Sequence, residues 1–534
     1  MQENFTPSFV RIYAQILELV RSGSLDSLEI KIRRILRLGP NEWERVALAD
    51  LAVKGHLFNL GLQILHADVF PDDSRHAQGL AEGRMIYAKA LIWLGAFGAA
   101  RRILTAEDLQ NRFQALDLLG IAELKRWNFK EASEALERRA LLSEGDEDSR
   151  LVSLRLQAQA AAFLPDGEAQ SETLFEKVLR DAHPKRNAFF ILETHHIRAN
   201  TRIYQGRLRE GLRDCQHVIA RLKETQFQNF VPMLELARKV CEGSIRPADA
   251  TRALNRMRGR WRDFPHRMLL RQLEFAIARR LEIREPFIQL YFGSPYAGLR
   301  REVLRWIAPS DLPAYVDSPL HQPASSSKDF YDPWLFFQKS AATKKGQLSF
   351  RMLSAVASDF YQPTHLLEVF HLLHPDETYS PISSPNRLTQ SLHRFKTLFR
   401  KTRTGLCIEV QNGRAVLITR YHVKIRIHRE NLLLEDDAAS SSSLPGVNAL
   451  PLSAPPTVRA ALQEIVQTWA KAAFGAREAA AKLGLSHRSA GRILRAGVEA
   501  GILQVEGAGR NTVYRVVSLK DSTGRGSSAR GEQI

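Results

Sequence analysis

Cysteine is scarce in this chain of 534 residues, which contains only Cys215, Cys241 and Cys407. The three residues are far apart, odd in number and form no CxxC pair. The sequence therefore predicts neither a disulfide framework nor a structural zinc site. We expect a protein of the reducing cytoplasm.

Long apolar runs are also missing. No stretch approaches the ~20 apolar residues that a membrane-spanning helix needs, and the first residues do not combine a basic patch with an apolar run. We therefore expect a soluble, cytoplasmic protein that makes no membrane contact.

Motifs for catalysis and nucleotide binding are absent as well. The sequence has no GxxxxGKS or GxxxxGKT motif and no strand-borne GxGxxG. His195 with His196, and His371 with His374, lack a matching cysteine or carboxylate cluster, so no metal site is predicted. We expect no enzymatic activity and no cofactor. The alternative is an enzyme whose catalytic pocket lies within residues 230–345.

Positive charge is unevenly distributed within a net charge of +18. Residues 385–429 contain eleven Lys and Arg residues against one acid, Glu409, and residues 455–534 contain twelve against six. The first 384 residues are nearly balanced, with 53 basic and 47 acidic residues. A local basic excess is typical of a surface that binds a polyanion.

Residues 40–225 repeat a helix-turn-helix pattern. A small residue is followed seven positions later by a turn, then by an apolar residue and a second small residue, as in Ala88, Gly95, Phe97 and Ala100. Successive copies start 39, 32, 40 and 39 residues apart. Such repetition predicts a helical solenoid. The other copies start at Ala49, Gly120, Ala160 and Ala199.

The run that begins at Leu118, LLGIAELKRWNFKEASEAL, resembles a tetratricopeptide repeat. The resemblance implies helix pairs that approach closely at small residues, and a concave surface for a peptide, a partner protein or a small ligand. An irregular helical bundle is the alternative interpretation. We assign residues 1–310 to the repeat region, and residues 311–345, rich in Pro, Ser and Asp, to a linker or loop.

Residues 346–430 combine two short amphipathic helices, predicted at Phe350–Phe360 and Thr364–Leu373, with a longer basic helix and a hairpin. The longer helix is expected from Ser383, because Pro385 suits a first turn and Leu388, Leu392 and Phe395 recur at helical spacing. Alternating apolar residues on either side of Asn412 and Gly413 predict the hairpin. The candidate DNA-binding residues of this region are Arg387, Gln390, Ser391, Arg394, Thr397, Lys401 and Arg414.

The order of these elements, with the run RLTQSLHRFKTLFRK from Arg387, resembles the winged-helix effector domain of OmpR-like response regulators. The resemblance implies that the basic helix recognises DNA. No acidic receiver pattern accompanies it in this chain, so control by phosphorylation is not implied. A basic, solvated helix on a structural subdomain is the alternative interpretation.

A second pattern of three helices and a hairpin covers residues 456–518, after a Ser-rich flexible linker at residues 431–455. Ser486 is a suitable N-cap for the third helix, which Gly501 ends. A Gly-rich turn at residues 507–511 separates two β-prone runs. Residues 519–534 are expected to form a disordered tail.

The run SHRSAGRILRAGVEAGILQ from Ser486 resembles MarR-like winged-helix domains. The resemblance implies a third helix that enters the major groove and a hairpin that serves as the wing. Arg488 is expected to reach base edges, and Arg510 at the wing tip to follow the backbone or minor groove. The candidate DNA-binding residues of this region are Ser486, His487, Arg488, Arg492, Arg495 and Arg510.

These patterns predict a mainly α protein in which a tetratricopeptide-like solenoid precedes two small winged-helix α/β domains. We expect a DNA-binding transcriptional regulator whose repeat region docks a protein or peptide partner, or senses a ligand, and whose winged helices bind duplex DNA. A scaffold whose winged helices bind protein is the alternative. The patterns make no prediction of the oligomeric state.

Overall fold

A computed structural model shows two compact units. The first comprises Met1–Leu373 and Thr378–Leu433, and the second comprises Leu434–Ile534 together with His374–Glu377. The structure describes residues 5–22, 25–70, 80–142, 147–182, 188–222, 230–259, 267–317, 330–331, 348–357, 359–374, 379–401, 406–411, 413–419, 424–429, 462, 464–466, 468–469, 472–483, 487–499, 502–507 and 512–516.

The protein is mainly α-helical, as the sequence predicts. Within the ranges given above, seventeen α-helices precede residue 304. They are α1 (Pro7–Ser22), α2 (Leu25–Leu36), α3 (Glu42–Lys54), α4 (Phe58–Val69), α5 (Ala81–Trp93), α6 (Phe97–Leu104), α7 (Phe113–Lys125), α8 (Phe129–Ala140), α9 (Glu147–Ala161), α10 (Glu168–Asp181), α11 (Ala188–Gln205), α12 (Leu208–Leu222), α13 (Val231–Cys241), α14 (Pro247–Gly259), α15 (Arg267–Arg280), α16 (Arg284–Phe292) and α17 (Ala297–Val303).

From α3 onward these helices pack in pairs. The pairs α3–α4, α5–α6, α7–α8, α9–α10 and α11–α12 each contain two consecutive helices in contact. The first helix of each pair also packs against the first helix of the next, from α3 with α5 through to α13 with α15. Each pair therefore contacts its neighbours along the chain, an arrangement consistent with a helical repeat.

A left-handed residue recurs in the turn between the two helices of a pair. L-residues adopt positive φ values rarely, yet seven of the turns that the structure describes contain a residue with a φ between 53° and 89°. In six of these turns the residue lies two positions before the second helix of the pair, and in the seventh Gly243 lies four positions before α14. Five of these turns fall within the predicted copies, and the last two extend the series beyond residue 225. The residues are His56, Gly95, Trp127, Asp166, Gly206, Gly243 and Glu282.

Small residues bring the paired helices close together. A Cβ added at Gly120 would lie 2.7 Å from two atoms of the Leu136 side chain on the partner helix. A Cβ added at Gly61 would lie 2.8 Å from Val53. The small residues of the repeated pattern are therefore required by packing at these two positions.

Short strands follow the helices. After a 3-10 turn at Pro309–Asp311, the predicted linker contains β1 (Tyr315–Asp317) and β2 (Phe330–Tyr331). Both pair with β6 (Lys424–His428), β1 in antiparallel and β2 in parallel orientation.

Residues 348–419 form what we call the first hairpin module. Its elements are α18 (Leu348–Ala357), β3 (Thr364–His365), α19 (Leu366–Leu373), α20 (Ser384–Lys401), β4 (Leu406–Gln411) and β5 (Arg414–Thr419). The three strands form an antiparallel sheet in the order β3-β5-β4. The second helix starts at Leu366 rather than at Thr364, because Thr364 and His365 pair with β5.

Residues 462–516 form the second hairpin module. Its elements are β7 (Phe474–Gly475), α21 (Ala476–Lys482), α22 (His487–Glu499), β8 (Leu503–Glu506) and β9 (Val513–Val516), and residues 464–466 before them are helical. The strand order is β7-β9-β8. The two modules therefore share their order of elements and their strand order.

Each compact unit has its own core. One continuous set of buried apolar residues runs from Phe9 to Ile427 and joins the paired helices to the first hairpin module. The second hairpin module packs around Leu462, Ile465 and Leu494. No helix in the part of the chain that the structure describes is long and apolar enough to cross a membrane.

Candidate nucleic-acid interface

Helix α20 is held by an apolar stripe and a polar N-terminus. Leu388, Leu392 and Phe395 are buried, as their helical spacing predicts. At the N-terminus, the backbone N–H of Ser380 donates to the Ser384 hydroxyl at 2.9 Å, and the Ser384 N–H donates to the Ser380 carbonyl at 2.9 Å. The opposite face of the helix is thereby turned outward.

This outward face of α20 is basic. Arg387, Gln390 and Arg394 are exposed, and Ser391 and Thr397 are partly exposed. No Asp or Glu occurs anywhere in the helix. The face therefore presents cationic and amide groups without acidic neighbours along the helix.

Two further exposed basic residues of α20, His393 and Lys396, are not among the sequence candidates. They border the apolar stripe, whereas the sequence argument considers only positions opposite to it. Among the residues that the structure describes, neither Arg394 nor Lys396 has an acid within ion-pair distance. Their charges are thus available to an external anion.

Other contacts fix the side chains around α20. The Arg387 guanidinium lies 5.8 Å from the centroid of the Phe370 ring, and the Ser391 hydroxyl donates to the Arg387 carbonyl at 3.0 Å. Arg394 and Ser391 also line a cleft of about 330 Å³ with Leu348 and Met352 of α18. The basic face therefore borders a groove.

Arg414 has a structural contact at the base of the hairpin. It is partly buried, and its Nη1 donates to the Pro363 carbonyl at 2.9 Å. Its strand partner is His365, whose Nδ1 accepts the Leu367 N–H at 3.2 Å. Burial, together with the Arg414 charge, lowers the pKa of His365 to about 3. The imidazole is therefore neutral at physiological pH.

A buried polar cluster attaches the first hairpin module to the paired helices. Arg271 of α15 lies 2.6 Å from the Asp359 carboxylate, and both side chains are 3% exposed. The Tyr361 hydroxyl donates to Glu274 at 2.6 Å. Burial alone would lower the pKa of Arg271, but the adjacent Asp359 carboxylate raises it overall. The Arg271 guanidinium therefore remains charged although it is buried.

Close backbone packing supports the same attachment. The Phe360 N–H donates to the Gly293 carbonyl at 2.9 Å, and a Cβ at Gly293 would lie 2.3 Å from the Phe360 ring. Only glycine fits there without a shift of the ring. The paired helices therefore position α20.

Helix α22 has the same division of faces. Ala490, Ile493 and Leu494 are buried, and a Cβ at Gly497 would lie 2.6 Å from Leu462 and 2.8 Å from Leu503. The outward candidates of this helix that can be placed, His487, Arg492 and Arg495, are exposed. Arg492 and Arg495 form no ion pair with any residue in the described ranges.

Four sequence candidates lie wholly or partly outside the described residues. Ser486 and Arg510 are outside them, and only the backbones of Lys401 and Arg488 are described, within α20 and α22.

Apart from Arg414 on β5, the remaining candidates lie on two exposed basic helices, one in each hairpin module. Among the residues described, no group of three or more His, Cys, Asp or Glu side chains could hold a metal ion. No protein-family model, curated protein or solved structure matches the chain.

Proposed function

We propose that this protein is a DNA-binding transcriptional regulator. In this proposal both hairpin modules are winged helices, α20 and α22 are their recognition helices, and residues 1–310 form a tetratricopeptide-like solenoid that docks a partner or senses a ligand. The observation that carries the proposal is the exposed, acid-free basic face of α20, the third helix of its module.

The order of elements supports the winged-helix interpretation. Each module has a short strand before its second helix, and that strand pairs with the last strand of the hairpin. In a winged helix-turn-helix the second and third helices form the helix-turn-helix, and the third enters the major groove. Two modules with the same order and the same sheet are better explained by a shared role than by an incidental hairpin.

The solenoid interpretation is supported by the recurring left-handed turn and by the contact between Gly120 and Leu136. Gly120, Leu136 and the turn residue Trp127 belong to the segment that resembles a tetratricopeptide repeat, and the other six turns lie outside it. Stacked helix pairs of this kind leave a concave surface on which a peptide or protein can lie. We assign partner docking to that surface.

The proposed binding mechanism divides the exposed residues into two groups. Arg394 and Lys396 are available to neutralise phosphates, which supplies affinity without sequence information. Arg387 and Gln390 lie near the start of α20, where side chains of a recognition helix reach base edges. Arg492 and Arg495 have the corresponding roles on α22.

The test is fluorescence anisotropy of the full-length protein with a labelled duplex across about 50 to 200 mM salt. Log affinity should fall linearly with log salt, and Arg394→Ala should lower the slope by about one. The matched control is Arg246→Ala, which removes the same charge from an exposed site before α14. Undetectable binding at low salt, or equal effects of the two variants, would contradict the proposal.

A protein-interaction scaffold is the second candidate function. It is favoured by the burial of Asp359 and Tyr361 against α15, since the first hairpin module already makes an extensive protein contact within the chain. This candidate would be favoured if the protein did not bind DNA and if variants of the α20 face lost binding to a protein partner.

A further inference from the structure

A cavity of about 280 Å³ lies between the paired helices and the first hairpin module. Helices α4, α5 and α6 supply one side, while α19 and the residue Tyr379 before α20 supply the other. No part of this cavity belongs to the basic faces described above. The lining residues are Val69, Phe70, Arg84, Tyr87, Leu91, Ala99, Arg102, Ile103, Ala106, His371 and Tyr379.

Most of the wall is apolar or aromatic. The rings of Phe70 and Tyr87 meet edge to face with their centroids 5.6 Å apart. The Tyr87 hydroxyl lies 3.4 Å from the Tyr379 carbonyl, so this wall crosses from the paired helices to the segment that leads into α20. An apolar wall of this size selects a ligand with an apolar body.

The polar groups of the cavity are cationic or neutral. Arg84 is buried and pairs with Asp108, which lies outside the lining, while Arg102 is exposed. His371 places a buried Nε2 there that has no hydrogen-bond partner among the described residues. Among the residues that the structure describes, no carboxylate lines the cavity. Because a guanidinium has five N–H donors, Arg84 can keep Asp108 and still bind a second acceptor.

We propose that this cavity binds a small organic carboxylate with an aromatic body, and that its occupancy regulates DNA binding. A cavity of ~150 Å³ holds benzene, so this cavity accommodates an aromatic ring with a short acidic side chain. The carboxylate would lie against Arg84 and Arg102, the ring against Phe70 and Tyr87. The regulatory part rests on the proposed function, whereas the binding part does not.

The cavity is placed where a ligand can influence the basic helix. His371 lies on α19, and Tyr379 lies five residues before the start of α20. A ligand that contacts these residues and the paired helices together stabilises one arrangement of the module over others. A ligand that binds one arrangement more tightly than the others couples the cavity to the basic face of α20.

Binding is tested by calorimetric titration of the full-length protein with benzoate, phenylacetate and indole-3-acetate. At least one acid should bind with a Kd below about 1 mM, and its neutral amide should bind about tenfold more weakly or not at all. Absence of binding by all three acids, or equal binding of acid and amide, overturns the proposal.

Variants locate the site. Arg102→Gln should weaken binding of the acid about tenfold, and Ala99→Phe, which fills the cavity, should abolish it. The matched control is Arg101→Gln, the neighbouring residue, which pairs with Glu123 instead and should leave the Kd unchanged. Circular dichroism checks that each variant is folded. Equal losses in the two arginine variants refute the assignment to this cavity.

The regulatory part is tested by repeating the DNA titration with the cavity saturated by the acid. A severalfold change in DNA affinity is expected in the wild type and should disappear in Ala99→Phe. Unchanged DNA affinity refutes the regulation while the binding site stands. Complete absence of DNA binding refutes the proposed function, and acid binding is then still decided by calorimetry.

Discussion

Replacement of Asp359 by Asn tests whether a buried ion pair holds the first hairpin module to the paired helices. Asn keeps the size of the side chain and the acceptor for the Tyr361 N–H, which Asp359 Oδ1 now binds at 2.8 Å. It removes the charge that lies 2.6 Å from Arg271, where both side chains are 3% exposed. An uncompensated buried charge costs about 3 to 5 kcal/mol, so we expect a loss of stability of that size.

Urea denaturation followed by tryptophan fluorescence measures the effect. Trp127 is buried, and its ring lies 5.4 Å from Phe275 of α15, so it reports on the helix that carries Arg271. The double variant Arg271→Met with Asp359→Leu should regain most of the stability, because an apolar pair replaces both charges.

The matched control is Asp249→Asn, which removes a carboxylate from an exposed pair with Arg246. It should leave the unfolding midpoint unchanged, because exposed ion pairs contribute little. If Asp359→Asn also leaves the midpoint at the wild-type value, the ion pair does not hold the module to the paired helices.

Two further predictions concern packing and pH. Gly120→Ala should destabilise the protein by about 1 to 3 kcal/mol because the new methyl group meets Leu136. The control is Gly98→Ala on α6, where no atom lies within 4 Å of the new Cβ. This variant should raise stability by about 0.5 to 1 kcal/mol. Thermal unfolding in which Gly120→Ala is more stable than Gly98→Ala would contradict the repeat packing. Burial lowers the pKa of His365 to about 3 in the folded chain. Just below pH ~6.5, therefore, this imidazole takes up a proton only in the unfolded chain. Stability should therefore be intact above that pH and fall towards pH 3 by up to about 1.4 kcal/mol per unit. His365→Gln should flatten this part of the urea-midpoint profile, and an unchanged slope would count against it.

Local patterns in the sequence predict the helical part of the fold well. Leu388, Leu392 and Phe395 recur at helical spacing and are buried together, and the predicted start of α20 at Ser383 is one residue from its observed start. The turn residues Gly95 and Trp127 likewise occupy the turn position of the repeated sequence pattern. These features depend on neighbours within one or two helical turns, which a sequence displays directly.

The attachment of the first hairpin module could not be predicted in this way. Arg271 and Asp359 are 88 residues apart, and neither lies in a pattern that indicates a partner. The sequence predicts helix at Thr364, but pairing with β5 overrides the local apolar spacing there. No sequence pattern indicates the cavity either, since Arg84 and His371 line the same cavity only after the paired helices and the module have packed together.

The strength of this attachment limits how a ligand in the cavity could act. Loss of the Arg271–Asp359 contact alone would cost about 3 to 5 kcal/mol, and Tyr361 and Phe360 add to that cost. A ligand at a hundred times its Kd supplies only about 2.7 kcal/mol. Occupancy is therefore insufficient to detach the module from the paired helices. Regulation through the cavity must instead act by small shifts at His371 and Tyr379, which change how α20 is presented while the buried cluster stays closed.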